Sequence, residues 1–232
     1  MISRGVYFRG LQVFAVLGVY AAWHYTQYLL ESSRGLMSGI TDHTHEALAA
    51  VNVFFNAHPA VTNAVLIVTS FELDVAALSM VAFFFVRKES RPLLALWLVL
   101  LIRQLCQASV SMPKPEGLLW HYPGFPSLVV TYGASRDFFF SGHMALSTLF
   151  AMELSIQGVA RWKQIVAWGA IGLHVFVILS MRFHYVQDVV AGFLAAIVVA
   201  LVAQALGRRL DQRVARWFEP VTPAAHLIGP GG

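Results

Sequence analysis

Two histidines and an aspartate carry the clearest chemistry in this sequence: His143 in Ser141-Gly142-His143, and His184 with Asp188 in His184-Tyr185-Val186-Gln187-Asp188. A spacing of four places His184 and Asp188 on one face of a helix, one turn apart, where their side chains can meet. A carboxylate there accepts the imidazole Nδ1 proton and leaves Nε2 unprotonated and directed at an electrophile. His184 is then a candidate nucleophile and Asp188 its orienting partner. His143 is free for the opposite task, protonating a leaving oxygen and later taking a proton from an incoming acceptor, which suits an ordinary pKa of about 6.5.

A phosphoryl centre also needs donors for its oxygens. Ser141 offers a hydroxyl, Gly142 lets backbone approach a ligand closely, and a helix beginning here presents unpaired N–H groups that favour an anion. Arg103 lies within an apolar run and Arg182 two residues before His184. An arginine so placed is costly unless a phosphate or a carboxylate compensates it. Arg103, Asp137, Ser141, Gly142, Arg182 and Tyr185 are the candidate phosphate- and substrate-binding residues.

These groups need elements to carry them, and the composition says which solvent those elements meet. Of the 232 residues 58% are hydrophobic and 12% charged, far from the mix of a water-soluble domain. The apolar residues come in runs of about 20, long enough to cross a hydrocarbon layer of about 30 Å as helices. Runs near 11–30, 61–86, 92–111, 138–157, 165–183 and 188–206 predict six spans. Each must be helical, because a chain in lipid satisfies its backbone hydrogen bonds internally. The fold class expected is an all-α six-span bundle forming a single domain over 1–232, its reactive core about 92–206. The run after Arg4 and Arg9 is too long for a secretory signal, lacks a small-residue cleavage site, and reads as the first span. The lone Cys106 permits no internal disulfide.

The net charge of +4 comes from short basic clusters between apolar runs and not from one polar face, which argues against nucleic acid. With the N-terminus in the cytoplasm, Arg4, Arg9, Arg87, Lys88, Arg91, Arg161, Lys163, Arg208, Arg209, Arg213 and Arg216 lie on that side. Arg34, Arg103, Lys114, Arg136 and Arg182 fall elsewhere. This positive-inside asymmetry predicts cytoplasmic ends and a reactive face on the non-cytoplasmic side. From His143 inward to about Gly158 is roughly 23 Å, and from about Ile165 back to His184 roughly 29 Å, so both histidines return to nearly one depth.

Ser141-Gly142-His143 followed by His184-Tyr185-Val186-Gln187-Asp188-Val189-Val190 resembles the type 2 phosphatidic acid phosphatase superfamily, and within it the sphingomyelin synthase branch. In that branch an aspartate stands four residues before the serine, as Asp137 does here, and an arginine-bearing third span ends in a Pro-x-Pro turn, as in Arg103 through Met112-Pro113-Lys114-Pro115. The resemblance covers about 103–190. Two departures point away from a generic phosphatidate phosphatase: Arg91-Pro92 lies on the cytoplasmic side, and Ile178 stands where those enzymes carry an arginine six residues before the second histidine. By resemblance His184 is the nucleophile, Asp188 its partner and His143 the acid and base. No metal or cofactor is implied. The expected partners are a phospholipid donor, a ceramide-like or diacylglycerol acceptor and, optionally, a second copy of the chain.

Other readings stay open at this level. Water as acceptor would make the protein a phospholipase C or lipid phosphate phosphatase, since the first half-reaction is shared. A non-catalytic lipid or ion carrier would instead line a path with the same polar groups. Glu72 and Asp74 either neutralise Arg103, shape the chamber or meet a cationic head group. Glu153 and His174 read as interior hydrogen-bonding groups. The segment Asp42-His43-Thr44-His45-Glu46 reads as a solvated loop or interfacial helix, because histidines two apart diverge on a helix and fit a metal poorly. Trp23, Tyr25, Tyr28, Trp120, Tyr122 and Tyr132 are expected in an interfacial belt.

Overall fold

The computed structural model describes residue 25 and residues 39–87, 89–110, 112–130, 132 and 138–218. The chain divides into two compact units, 1–41 and 42–232, and both histidines belong to the second. The expected first span at 11–30, apart from Tyr25, lies outside the described residues, as does Asp137.

Seven helices make up the second unit's described residues, with no strand among them: α1 (His43–Ala47), α2 (Ala49–Ala57), α3 (Pro59–Arg87), α4 (Arg91–Ser109), α5 (Gly142–Ile156), α6 (Arg161–Ser180) and α7 (Val186–Phe218). Proline marks two of the starts, at Pro59 and at Pro92, where a missing N–H costs a helix nothing. Four of them, α3, α4, α6 and the 186–213 part of α7, are long and apolar enough to cross a membrane. Their outward faces carry exposed Phe71, Leu78, Trp97, Leu101, Ile165, Leu194 and Val198. Water would penalise such a surface and lipid does not. The protein is an integral membrane protein.

The apolar run at 138–157 forms a shorter helix than its sequence predicts. Only residues 142–156 are helical, about 22 Å of rise. The chain from Phe138 to Ser141 is a turn, with Phe140 in the left-handed region at φ 78° and Ser141 extended as the helix N-cap. This helix packs against α3, α4, α6 and α7, and most of its residues are buried, so it is the centre of the bundle.

Small residues bring the helices to close range, as expected where lipid supplies no hydrophobic drive between them. Ala196, Ala200 and Ala203 of α7 pack with Ala95 and Val99 of α4 and with Ala145 and Leu149 of α5. At Gly207 a methyl group would stand 3.0 Å from the Arg91 Cα, and at Gly192 2.5 Å from the Ser141 carbonyl oxygen. The second contact matters for function, because it seats α7 directly on the turn that carries Ser141-Gly142-His143. A second core cluster joins Phe55 and Leu66 to Met144, Ile178, Phe183 and Val189.

Candidate active site

Two turns at one end of the bundle bring the histidines together. The first precedes α5. Phe140 holds a backbone conformation that costs a bulky residue roughly 1–3 kcal/mol. Its ring, 1% exposed, packs with Ala145, Leu149 and Ala196, and the next residue's N–H donates to the Asp188 carbonyl at 3.1 Å. Burial and that bond offset the strain. His143 follows as the second residue of the helix.

The second turn joins α6 to α7 by a Schellman closure. Phe183 N–H donates to the Ile178 carbonyl at 2.9 Å and Arg182 N–H to the Leu179 carbonyl at 3.3 Å, with Arg182 left-handed at φ 59°. Glycine is usual at that position. Arginine stands here, and its side chain is tied down: Nη1 donates to the Glu116 carbonyl at 2.7 Å and Nη2 to the His45 carbonyl at 3.2 Å. Arg182 thus fastens the turn to neighbouring backbone and is not among the residues that line the cavity.

His184 precedes α7 instead of lying within it, which changes the expected pairing with Asp188. The imidazole Nδ1 donates to the Phe138 carbonyl at 2.9 Å, while the Asp188 Oδ2 stands 3.8 Å away, beyond hydrogen-bond reach. Asp188 Oδ2 instead accepts the Tyr185 N–H at 3.0 Å, reaching back from the third helical residue to the N-cap as in a capping box. A backbone carbonyl therefore sets the His184 tautomer, with Nε2 left as the unprotonated nitrogen. The fully buried Asp188 side chain fixes the start of α7 and stands beside the ring.

Between these turns and α4 lies a cavity of about 360 Å³ lined by Arg103, Gln104, Gln107, Gly142, His143 and His184. Its size falls in the range of small-ligand sites. His143 is buried, and its Nε2 has no hydrogen-bond partner among the described residues. A methyl group at Gly142 would stand 3.1 Å from the Arg103 Nε, so glycine here leaves room for the guanidinium beside the helix start. Trp120 forms an aromatic wall: its ring meets His143 edge-on at 5.4 Å, Phe183 at 4.6 Å and Tyr132 at 5.0 Å.

The remaining candidates take other places. Ser141 is completely buried and caps α5, its Oγ accepting the Met144 N–H at 3.4 Å. Tyr185 is turned from the cavity, donating to the Pro113 carbonyl at 3.0 Å. Burial, with the charges of Asp188 and Asp42, raises its phenol pKa and keeps that donor protonated. Glu72 joins an interior cluster in which the Ser147 Oγ donates to Glu72 Oε2 at 3.0 Å and lies 2.6 Å from His174 Nδ1. The His174 ring stands 6.2 Å from that of His143.

Asp74 anchors a loop. Its carboxylate accepts from Ser127 Oγ at 2.8 Å and from the N–H groups of Leu128 and Val129 at 3.0 Å, and Val129 with the adjoining Val130 lines the cavity. Hydrogen bonds to a charged group are worth about 1.5–3 kcal/mol each. Asp74→Ala is expected to free residues 127–130 while the bundle stays folded, read as faster proteolytic cleavage in that loop. Wild-type cleavage kinetics would contradict this role.

Sequence reasoning missed several residues here. Gln104 and Gln107 carried a signal, being amides in an apolar span, with Gln107 one helical turn from Arg103. The Phe138 carbonyl carried none, since any residue offers one. His45 and Asn52 were hidden by position. The segment at 42–46, expected as a solvated loop or interfacial helix, enters a short helix with His43 and Glu46 exposed but Asp42 and His45 buried. His45 Nε2 lies 3.0 Å from the His184 carbonyl oxygen, and Asn52 Nδ2 donates to Ser180 and Gly117.

A membrane bundle whose short central helix opens on Ser-Gly-His, faced by a second histidine at the head of the last helix, defines a member of the type 2 phosphatidic acid phosphatase superfamily. Within it, residues 37–205 match the family model AtPDCT1/2, and the chain belongs to that family. The match falls there and not on the sphingomyelin synthase branch that the sequence resembles. The crystal structure of Aquifex aeolicus LpxE superposes with a TM-score of 0.52 at 16% identity, over 74% of this chain and 99% of that one, and so shares the fold. No curated protein sequence matches the chain.

Proposed function

We propose that the protein transfers a phospho-head group between lipids, taking phosphocholine from phosphatidylcholine and giving it to diacylglycerol. The observation that carries this reading is the shared cavity in which His143, His184, Arg103 and Gly142 meet. Family membership supports it, since the family is one of phosphatidylcholine:diacylglycerol cholinephosphotransferases. The wall of Trp120, Phe138 and Phe183 suits a quaternary ammonium, which aromatic faces attract.

In the first half-reaction His184 Nε2 attacks phosphorus and the bond to the diacylglycerol oxygen breaks. His143 delivers its proton to that departing oxygen. The product is a phosphohistidine still carrying choline, with Arg103 and the N–H groups at the start of α5 facing the phosphoryl oxygens. In the second, an acceptor hydroxyl gives its proton to His143 and attacks phosphorus, and the bond to Nε2 breaks. Asp188, 3.8 Å from Nδ1, stabilises the ring when it is positively charged. The proposal includes six spans, cytoplasmic ends and a site open to the opposite leaflet, and the basic clusters at 87–91, 161–163 and 208–216 support that orientation.

The test uses purified protein in detergent with head-group-labelled phosphatidylcholine and diacylglycerol, ceramide or no acceptor. Labelled phosphatidylcholine re-formed on an acyl-distinct diacylglycerol is the expected result. Label moved to ceramide would assign the other acceptor, and free phosphocholine at one rate in all three arms would make the protein a hydrolase. Intact donor in every arm would overturn the reading.

A further inference from the structure

The segment 42–57 makes polar contacts with four residues of the His184 turn. Asp42 Oδ2 accepts the Val186 N–H at 2.6 Å, the first N–H of α7. His45 Nε2 lies 3.0 Å from the carbonyl oxygen of His184 itself, and the His45 ring stacks on Tyr185 at 5.6 Å. The His45 carbonyl takes the Arg182 guanidinium, and Asn52 Nδ2 reaches the Ser180 carbonyl at 2.8 Å. Residues 180, 182, 184 and 186 are thus each held by a polar group from this one segment.

None of these donors and acceptors lines the cavity, so their influence on chemistry must pass through the backbone of His184. Among the described residues the imidazole is anchored by the Phe138 carbonyl, which fixes its tautomer but leaves the backbone to be placed by something else. The left-handed residue two positions earlier makes that backbone expensive to hold. Asp42 is built to contribute. Burial would raise its pKa, but the hydrogen bonds from Thr44 and the Val186 N–H, with the His45 ring nearby, outweigh burial and hold it below the ordinary carboxylate range. It stays ionised at the positive end of α7, where a negative charge is favourable.

We infer that His45 and Asp42 are positioning residues of the transfer reaction, a clamp that sets the His184 backbone so that Nε2 stands in line with the phosphorus. This rests on His184 being the nucleophile. A nucleophile misplaced by about 1 Å loses on the order of 100-fold in rate. His45→Ala is therefore expected to lower kcat about 10- to 100-fold with KM for phosphatidylcholine little changed. His45→Gln, whose amide nitrogen can reach the same carbonyl, should recover most of that loss.

The experiment measures kcat and KM per folded molecule for His45→Ala, His45→Gln and Asp42→Asn, beside the single-turnover burst of nitrophenolate from p-nitrophenyl phosphocholine. A slowed burst with rescue by glutamine supports the clamp. Wild-type kcat in both His45→Ala and Asp42→Asn, or a change confined to KM, overturns it. Should His45→Ala fail to fold, Asp42→Asn carries the same readout, because it keeps the shape of the side chain and removes the charge. Full turnover by His184→Ala is a different failure, which removes the underlying assignment of the nucleophile and leaves the clamp contacts without that task.

Discussion

His184→Ala is expected to lower head-group transfer by about 10⁴-fold or more, leaving the protein folded and inserted. Among the described residues the side chain makes one hydrogen bond, to the Phe138 carbonyl, whose loss costs about 1 kcal/mol of stability. The backbone around it is held independently by the Schellman closure and by Asp188 at the Tyr185 N–H. Structure should survive while the attacking atom is gone. Transfer above a tenth of the wild-type rate, from protein that elutes as wild type, would remove His184 from the reaction.

His143→Ala should cost about 10²- to 10⁴-fold on phosphatidylcholine, the range of a lost general acid. A second substrate separates the two histidines. Nitrophenolate leaves without needing a proton, so His143→Ala should still release one equivalent rapidly from p-nitrophenyl phosphocholine and then turn over slowly, since the acceptor hydroxyl has lost its base. His184→Ala should show no burst at all. Equal loss of the burst in both variants would contradict the division of labour, and a wild-type rate of His143→Ala on phosphatidylcholine would dismiss the acid.

The separation between legible and hidden features comes down to range. Hydropathy named α3, α4 and α6 and the start of α7 within a few residues, because burial in lipid is a property of each run by itself, while α7 runs on to Phe218, well past the expected end at 206. Ser141-Gly142-His143 and His184 through Asp188 were legible because each is a local motif, and both histidines line one cavity. What failed was local phase. Helical spacing paired His184 with Asp188, but the chain leaves the helix between them, and Phe140 and Arg182 adopt left-handed backbone that no glycine advertised. The work of Ser141, Tyr185 and Arg182 shifts accordingly from ligand to framework, where each hydrogen bond goes to backbone. The contacts from 42–57 to the His184 turn span 128 or more residues of sequence, as from Asn52 to Ser180, and lie beyond any periodicity.

The shortness of α5 sets the elevation of the chemistry. One end of that helix closes at Gln157, whose amide donates to Glu153 and Glu89 beside Arg91, and its other end carries His143, about 21 Å from Gln157 along the axis. A hydrocarbon layer of about 30 Å exceeds that rise by about 9 Å, which in the proposed orientation sets the imidazoles beneath the outer boundary. An ester bond can descend that far while its acyl tails never leave the oil. Supply is then a matter of sideways diffusion in two dimensions, and throughput depends on the mole fraction of donor in the sheet of lipid, not its amount per litre.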